Sequence, residues 1–239
     1  MKTLQILIAF VAAATLSSCN FDISIGQVDG NGNVVTEERN VADFSKVKGS
    51  AGIDVYLTEG NESKIVVEAD ENLMELIETT VEGGKLRIRS NQNIGRAKSK
   101  KVHVTYVNLT SIEASSGADV IGNSVIKSES LDLDSSSGAD LELEILSKEV
   151  FAVTSSGSDM KLSGKATTLR AKASSGSDLD AKELIVATCN ADASSGADIK
   201  VNVKDRLTAE ASSGGDVHYY GDPAAVSNNS GSTGSVHKM

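Results

Sequence analysis

From about residue 110 onward, apolar and polar positions alternate with a period of two, and one short polar cluster interrupts the alternation again and again. The cluster is Ser-Ser-Gly-x-Asp. It begins at Ser115, Ser136, Ser155, Ser174, Ser194 and Ser212, at intervals of 21, 19, 19, 20 and 18 residues. Five positions before it stand Thr110, Leu131, Val150, Leu169, Cys189 and Leu207; three before stand Ile112, Leu133, Ala152, Ala171, Ala191 and Ala209. One before stand Ala114, Ser135, Thr154, Ala173, Ala193 and Ala211. The columns between them carry Glu113, Asp132, Asp134, Arg170, Lys172, Asp192 and Glu210. A further apolar column follows each cluster: Val120, Leu141, Met160, Leu179, Ile199 and Val217. Period two marks a strand with one buried face. Self-similarity at this interval marks a coil that stacks on copies of itself, because a single coil cannot bury its own apolar face. The expected fold is all-β: a single-domain, right-handed parallel β-helix with rungs of roughly 20 residues and a Ser-Ser-Gly-x-Asp turn in each. A sandwich or an up-and-down barrel has no need of one identical turn at near-constant spacing.

The turn has its own logic. Its glycine supplies a positive φ at the corner, and its aspartate is expected to accept backbone N–H bonds in an Asx-type turn. The second serine is expected to point inward and build a ladder of hydroxyls. A looser copy, Ser50-Ala51-Gly52-Ile53-Asp54, stands 65 residues before the first full one. Residues 41–110 read as strands, with turns at Glu59-Gly60-Asn61-Glu62 and Glu82-Gly83-Gly84. Asn72 to Thr80 reads as one or two helical turns with Leu73, Leu76 and Ile77 inward. The run Ser227-Asn228-Asn229-Ser230-Gly231 reads as a last, degenerate turn that closes the open end.

The amino terminus follows another pattern. Lys2 precedes an apolar stretch from Leu4 to Ala14, too short to span a bilayer. Leu16-Ser17-Ser18-Cys19 then resembles a bacterial lipobox, in which small residues admit the peptidase and the cysteine is acylated. Residues 1–18 are therefore expected to be a lipoprotein signal peptide and Cys19 the lipidation site. The acyl chains would anchor the chain to a membrane, expected to be the outer membrane of a cell envelope. Only one acid, Asp22, follows closely, so the periplasmic and surface sides stay open. Residues 19–40, polar and rich in Gly and Asn, read as a flexible tether, and 41–237 as the β-helical domain.

Composition narrows the function. Lys and Arg total 23 against 33 acids, a formal charge of −10, which disfavours nucleic acid as a partner. Aromatics are 3% and tryptophan is absent, so Val, Ile, Leu and Ala must fill the core and few platforms remain for stacking on sugars. His103, His218 and His237 have no zinc-type spacing. Cys189 shares an inward column with Leu169 and Leu207 and reads as a buried small hydrophobe. No serine sits in a strand–elbow–helix context, and no phosphate loop or dinucleotide fingerprint occurs. No cofactor is expected. One polar constellation stands out: stacked rungs would align Asp119, Asp140, Asp159, Asp178, Asp198 and Asp216 about 4.8 Å apart, where carboxylates raise each other's pKa or attract a cation such as Ca²⁺. The plainer alternative is that each aspartate caps its own turn.

Several segments together resemble the putative auto-transporter adhesin, head GIN domain family. They are Ile53-Asp54-Val55-Tyr56-Leu57, Ile65-Val66-Val67-Glu68-Ala69, Gly83-Gly84-Lys85-Leu86-Arg87-Ile88, Val102-His103-Val104-Thr105-Tyr106, the Ser-Gly-x-Asp turns, and Asp216-Val217-His218-Tyr219-Tyr220-Gly221-Asp222-Pro223. The resemblance runs over roughly 41–237 and implies a β-helical envelope protein, often a lipoprotein, with no catalytic residues to carry over. The expected function is a non-catalytic, adhesin-like binding or structural module with a glycan or envelope-protein ligand. The alternatives are a β-helix polysaccharide lyase or hydrolase, in which Asp140, Asp159 and Asp178 would act, and a Ca²⁺-stabilised rod.

Overall fold

A computed structural model describes residues 26–231 and 233–239; the expected signal peptide and Cys19 lie outside the described residues. Short strands come first: β1 (Gln27–Val28), β2 (Val34–Arg39), β3 (Lys46–Gly49), β4 (Asp54–Glu59) and β5 (Lys64–Asp70). A 3₁₀ turn (Glu71–Leu76) leads to β6 (Ile77–Glu82), β7 (Lys85–Ser90), β8 (Asn93–Ile94), β9 (Lys100–Tyr106), β10 (Ser111–Ser115) and β11 (Asp119–Gly122). Long strands then follow: β12 (Ile126–Ser136), β13 (Asp140–Ser155), β14 (Asp159–Ser174), β15 (Asp178–Ser194) and β16 (Asp198–Ser212). The chain closes with β17 (Asp216–Tyr220), β18 (Ala225–Ser230) and β19 (Ser235–Lys238). The protein is an all-β solenoid of about 7 stacked turns, roughly 19 residues apart.

Each of β13 to β16 runs from the aspartate of one turn to the first serine of the next, so one strand makes one coil. Neighbouring coils pair in parallel and in register. Leu141, Met160, Leu179, Ile199 and Val217 stack as one column, and Leu131, Val150, Leu169, Cys189 and Leu207 as another. These residues are buried. Two positions along the same strands, Ala152, Ala171, Ala191 and Ala209 are buried too. Lys148 and Glu149 are exposed in succession, and there the alternation changes phase. This is a second bend in the coil, one that the turn motif does not mark.

The corner is two consecutive residues in the left-handed region. The second serines (Ser116, Ser137, Ser156, Ser175, Ser195 and Ser213) have φ between 51° and 58°, and the glycines after them are positive as well. This is a type I′-like turn, a conformation that costs an L-residue about 1–2 kcal/mol. Backbone bonds offset it: Gly138 donates to Ser156 O, Gly157 to Ser175 O and Gly176 to Ser195 O, each about 3.2 Å away. Asp159 N donates to Ala139 O and Asp178 N to Ser158 O at 3.1 Å. The hydrogen-bond ladder thus passes round the corner unbroken, and every coil templates the same turn in the next.

That geometry corrects one expectation. The second serines are exposed, because a left-handed residue turns its side chain outward. The inward residue is the x position, with Ala118, Ala139, Ser158, Ser177 and Ala197 all buried. A short polar chain does run inside the corner, made by different residues. Ser135 Oγ donates to Ala139 O (2.8 Å), Ser158 Oγ to Ser135 O (2.7 Å), and Ser177 Oγ meets Thr154 Oγ1 (3.0 Å).

At the amino-terminal end, chain order and spatial order part. β3 and β4 pair in parallel with β10 and β11 on one side, and with β7 and β9 on the other. The Ser50–Asp54 corner therefore stacks directly on the Ser115–Asp119 corner, with Gly52 N donating to Ser116 O at 3.0 Å. The 65-residue gap is no gap in space. The intervening chain forms a cap: β5 pairs antiparallel with β9, β2 antiparallel with β5, and β6 with β7 in a hairpin across Gly83 and Gly84.

Of the residues read as a tether, 19–40, those from 26 onward are described, and part of them belongs to the cap. Val34–Arg39 is a strand, and Arg39 donates to Met74 O (2.9 Å) and to Ile77 O. The segment reads as polar because only one side of it packs. The predicted helical turns survive as the 3₁₀ turn, with Leu73 buried, but Ile77 begins a strand. At the far end, residues 227–230 are strand β18 and not a turn. The last corner lies beyond them, where Gly234 N donates to Gly231 O (3.3 Å). β18 pairs only with β16, and β19 only with β17, among the described strands, so this end is not closed in the way expected.

Candidate functional site

Two surfaces concentrate polar groups. The first is the corner column. Register aligns Asp54, Asp119, Asp140, Asp159, Asp178, Asp198 and Asp216, and ends on Ser235. All six predicted aspartates are brought together, and Asp54 joins them from the looser motif. They do not cap their own turns: the six make no hydrogen bond to their own turn backbones, where the glycine N–H of most corners and the aspartate N–H instead donate to the neighbouring coil. Burial, and then the charge of Asp54, push the Asp119 carboxyl above the usual range. Burial and Asp119 raise Asp140. Burial, then Asp140 and Asp178, raise Asp159. Like charges at the spacing of a β-ladder behave in this way.

The second surface is the outward face of the strand segments leading into the corners. Register lines up Ser111, Asp132, Phe151, Arg170, Asn190 and Thr208, and beside them Glu113, Asp134, Val153, Lys172, Asp192 and Glu210. At its centre the Arg170 guanidinium lies over the Phe151 ring, 5.1 Å from its centroid, a cation–π arrangement. A shallow depression of about 450 Å³ on one side is lined by Arg170, Lys172, Asn190, Asp192, Thr208 and Glu210. A second, of about 550 Å³, is lined by Lys46, Lys85, Glu113, Asp132, Asp134 and Phe151 among others. Here Glu113 bridges Lys48 (3.2 Å) and Lys85. Burial opposes ionisation of Glu113, yet bonds from Lys85 and Lys48 hold its carboxyl below the usual range. Asp134 is pushed up by burial and then by Glu113. The sequence shows Arg170, Lys172, Asp192 and Glu210 only as outward positions and does not single out Phe151; that Phe151 and Arg170 become neighbours follows from their 19-residue separation, one coil.

The remaining candidates are scattered. His103 stacks on Tyr56 (5.3 Å between centroids) and lies 3.7 Å from Glu68. His218 stacks on His237 at 5.7 Å. Tyr219 packs against the core. Cys189 is buried and its thiol is pushed up to about 12 by burial, which fits a small hydrophobe and not a nucleophile.

A family model described as putative auto-transporter adhesin, head GIN domain, matches residues 43–223. The chain belongs to this family. Crystal structures of similar fold are known. A putative adhesin from Bacteroides fragilis superposes with a TM-score of 0.83 at 18% identity, covering 89% of this chain and 100% of that one. A putative adhesin from Parabacteroides merdae gives 0.71 at 20% identity, covering 90% and 99%. A putative lipid binding protein from Parabacteroides distasonis gives 0.66 at 20%, covering 89% and 99%. At such identities the likeness is one of fold. No curated protein matches. Membership of the head GIN family supports an adhesin-like, non-enzymatic role at the cell envelope or surface.

Proposed function

We propose that this head GIN protein is a lipid-anchored, non-catalytic envelope module that binds a hydroxyl-rich polymer, a glycan, along its outward sheet face. The observation that carries the reading is the Phe151–Arg170 pair with a polar depression on either side. An aromatic ring capped by a guanidinium and flanked by carboxylates and amides offers a sugar an apolar edge and hydrogen-bond partners. Flat repetitive surfaces of this kind suit extended ligands. Acylation at Cys19 would hold the protein to the membrane.

Glycan-array binding by the purified protein tests the reading. Wild type is expected to retain at least one glycan, and Phe151→Ala with Arg170→Ala to lose it while keeping the thermal melt. Equal binding by the double variant would move the site elsewhere. Anchoring is checked separately: Cys19→Ala should shift the protein from the membrane to the soluble fraction.

One observation favours a second reading. Glu113 and Asp134 share a depression and their pKa values are pushed apart, as in acid–base pairs that cleave glycosidic bonds. Release of reducing ends from a polysaccharide panel, abolished by Asp134→Asn, would establish catalysis. The turn aspartates Asp140, Asp159 and Asp178 lie on the other surface and are not its candidates.

A further inference from the structure

The carboxyl-terminal end of the corner column differs from the rest of it. His218 lies two residues beyond Asp216 on β17, so both project from the same face. One carboxylate oxygen from each of Asp198 and Asp216 and one ring nitrogen of His218 lie within 4.8 Å of one another. His218 Nδ1 is shut off from solvent and has no hydrogen-bond partner among the described residues. A buried, unsatisfied ring nitrogen is costly, and native structures seldom leave one without an ion or water. No other corner carries a histidine beside its aspartates. Asp216 is held in place by a hydroxyl bond from Ser235, and His218 by stacking on His237. Both supports come from the last coil. Lys200, in register with His218, leaves the cluster a net single negative charge when the imidazole is neutral.

We infer that Asp198, Asp216 and His218 form a binding site for one divalent transition-metal ion of the Zn²⁺ type. A nitrogen donor joined to two carboxylates suits Zn²⁺, Co²⁺ or Ni²⁺, whereas Ca²⁺ prefers an all-oxygen shell. Waters complete the coordination. The site is separate from the sheet face and independent of what that face binds. Its ion would pin β17 to β16 near the carboxyl-terminal end of the solenoid.

Titration calorimetry of the tag-free protein with ZnCl₂ and, separately, CaCl₂ tests this. The expected result is one saturable Zn²⁺ per chain, with Ca²⁺ at least 10-fold weaker. His218→Ala and Asp216→Asn should each weaken Zn²⁺ at least 10-fold, while His103→Ala leaves it unchanged. Histidine ring NMR signals should shift at His218 on adding Zn²⁺. Circular dichroism and melting temperature confirm that each variant is folded; should His218→Ala unfold, His218→Gln and the NMR shift carry the test. Absence of saturable binding at 100 µM Zn²⁺ overturns the inference and leaves a bridging water as the nitrogen's partner. Binding that survives in the folded His218 variant, or is lost with His103→Ala, also overturns it and marks an adventitious ion only.

Discussion

Neutralising one carboxylate in the middle of the corner column should make the protein more stable. Asp159 is the suitable position, since Asp140 and Asp178 flank it in register and it accepts no side-chain or backbone hydrogen bond. At a rung spacing of about 4.8 Å, each neighbour repels it by about 0.9 kcal/mol in water. Two neighbours double that, and screening at 0.15 M salt cuts the total to about 1 kcal/mol. The raised pKa fixes the sign. The folded state binds the Asp159 proton more tightly than the unfolded chain, so ionised Asp159 destabilises the fold above its folded-state pKa. The penalty fades as pH falls and is gone below the unfolded value. Asp159→Asn should therefore raise Tm by about 2–4 °C at pH 7, and by nothing near pH 3, where both states are protonated. In 1 M NaCl the gain should shrink to a few tenths of a kcal/mol. Thermal melts at two pH values and two salt concentrations measure all of this. A variant less stable than wild type at pH 7, or a gain indifferent to pH and salt, would refute the electrostatic account. A gain that reverses when millimolar Ca²⁺ is added would show instead that the column holds cations.

Three further outcomes follow from local geometry. Gly157 and Gly164 both have positive φ, at 67° and 104°, but an added Cβ meets nothing at Gly157 and the Ile145 carbonyl oxygen at 2.1 Å at Gly164. Gly157→Ala should cost about 1 kcal/mol and Gly164→Ala more than about 3 kcal/mol, read from urea midpoints; equal costs would mean that the coil yields at Gly164. Cys189, with its thiol pushed up to about 12, should resist a thiol-specific disulfide reagent at pH 8 in the native protein and react at once in denaturant. Asp70 is buried and accepts backbone bonds from Gly32, Lys98 and Ser99 at 2.8–3.1 Å. Burial opposes its charge, yet these bonds hold its pKa below the usual range. Its contribution is present above the unfolded carboxylate pKa and is lost as pH falls through the folded value. Asp70→Ala should cost at least about 2 kcal/mol and loosen residues 30–39, seen as faster amide exchange there.

The columns from Ile112 to Val217 could be read from the sequence because parallel, in-register stacking converts sequence spacing directly into spatial alignment. The same property made the Asp column legible. What failed was extrapolation of period two through the corner: two left-handed residues rotate the chain, so Ser156 points out and Ser158 in. The second bend escaped because its residues, such as Lys148 and Glu149, vary from coil to coil. The sheet-face site was half visible. Arg170 stands in an outward column, but nothing in the sequence singles out Phe151, and their pairing needs the register as well as the pattern. The cap was the least legible part, since β2 is an outer layer whose polar sequence resembles loop. The looser corner at Ser50 did carry the decisive signal: its spacing is wrong for a neighbour in sequence and right for a neighbour in space.

That misplaced corner gives the molecule a direction of growth. Because the coil of β3 and β4 is wedged between chain that comes after it, the amino-terminal end is one interlocked unit, whose closure needs contacts across about 65 residues and is expected to be slow to form. Beyond it, each described coil is hydrogen-bonded in register to the coil before and the coil after. Whole coils could be gained or lost there by duplication or deletion of one repeat, and the interlocked end would not register the change. Each step would lengthen the outward face by about 4.8 Å, so reach is the property this architecture leaves free to evolve.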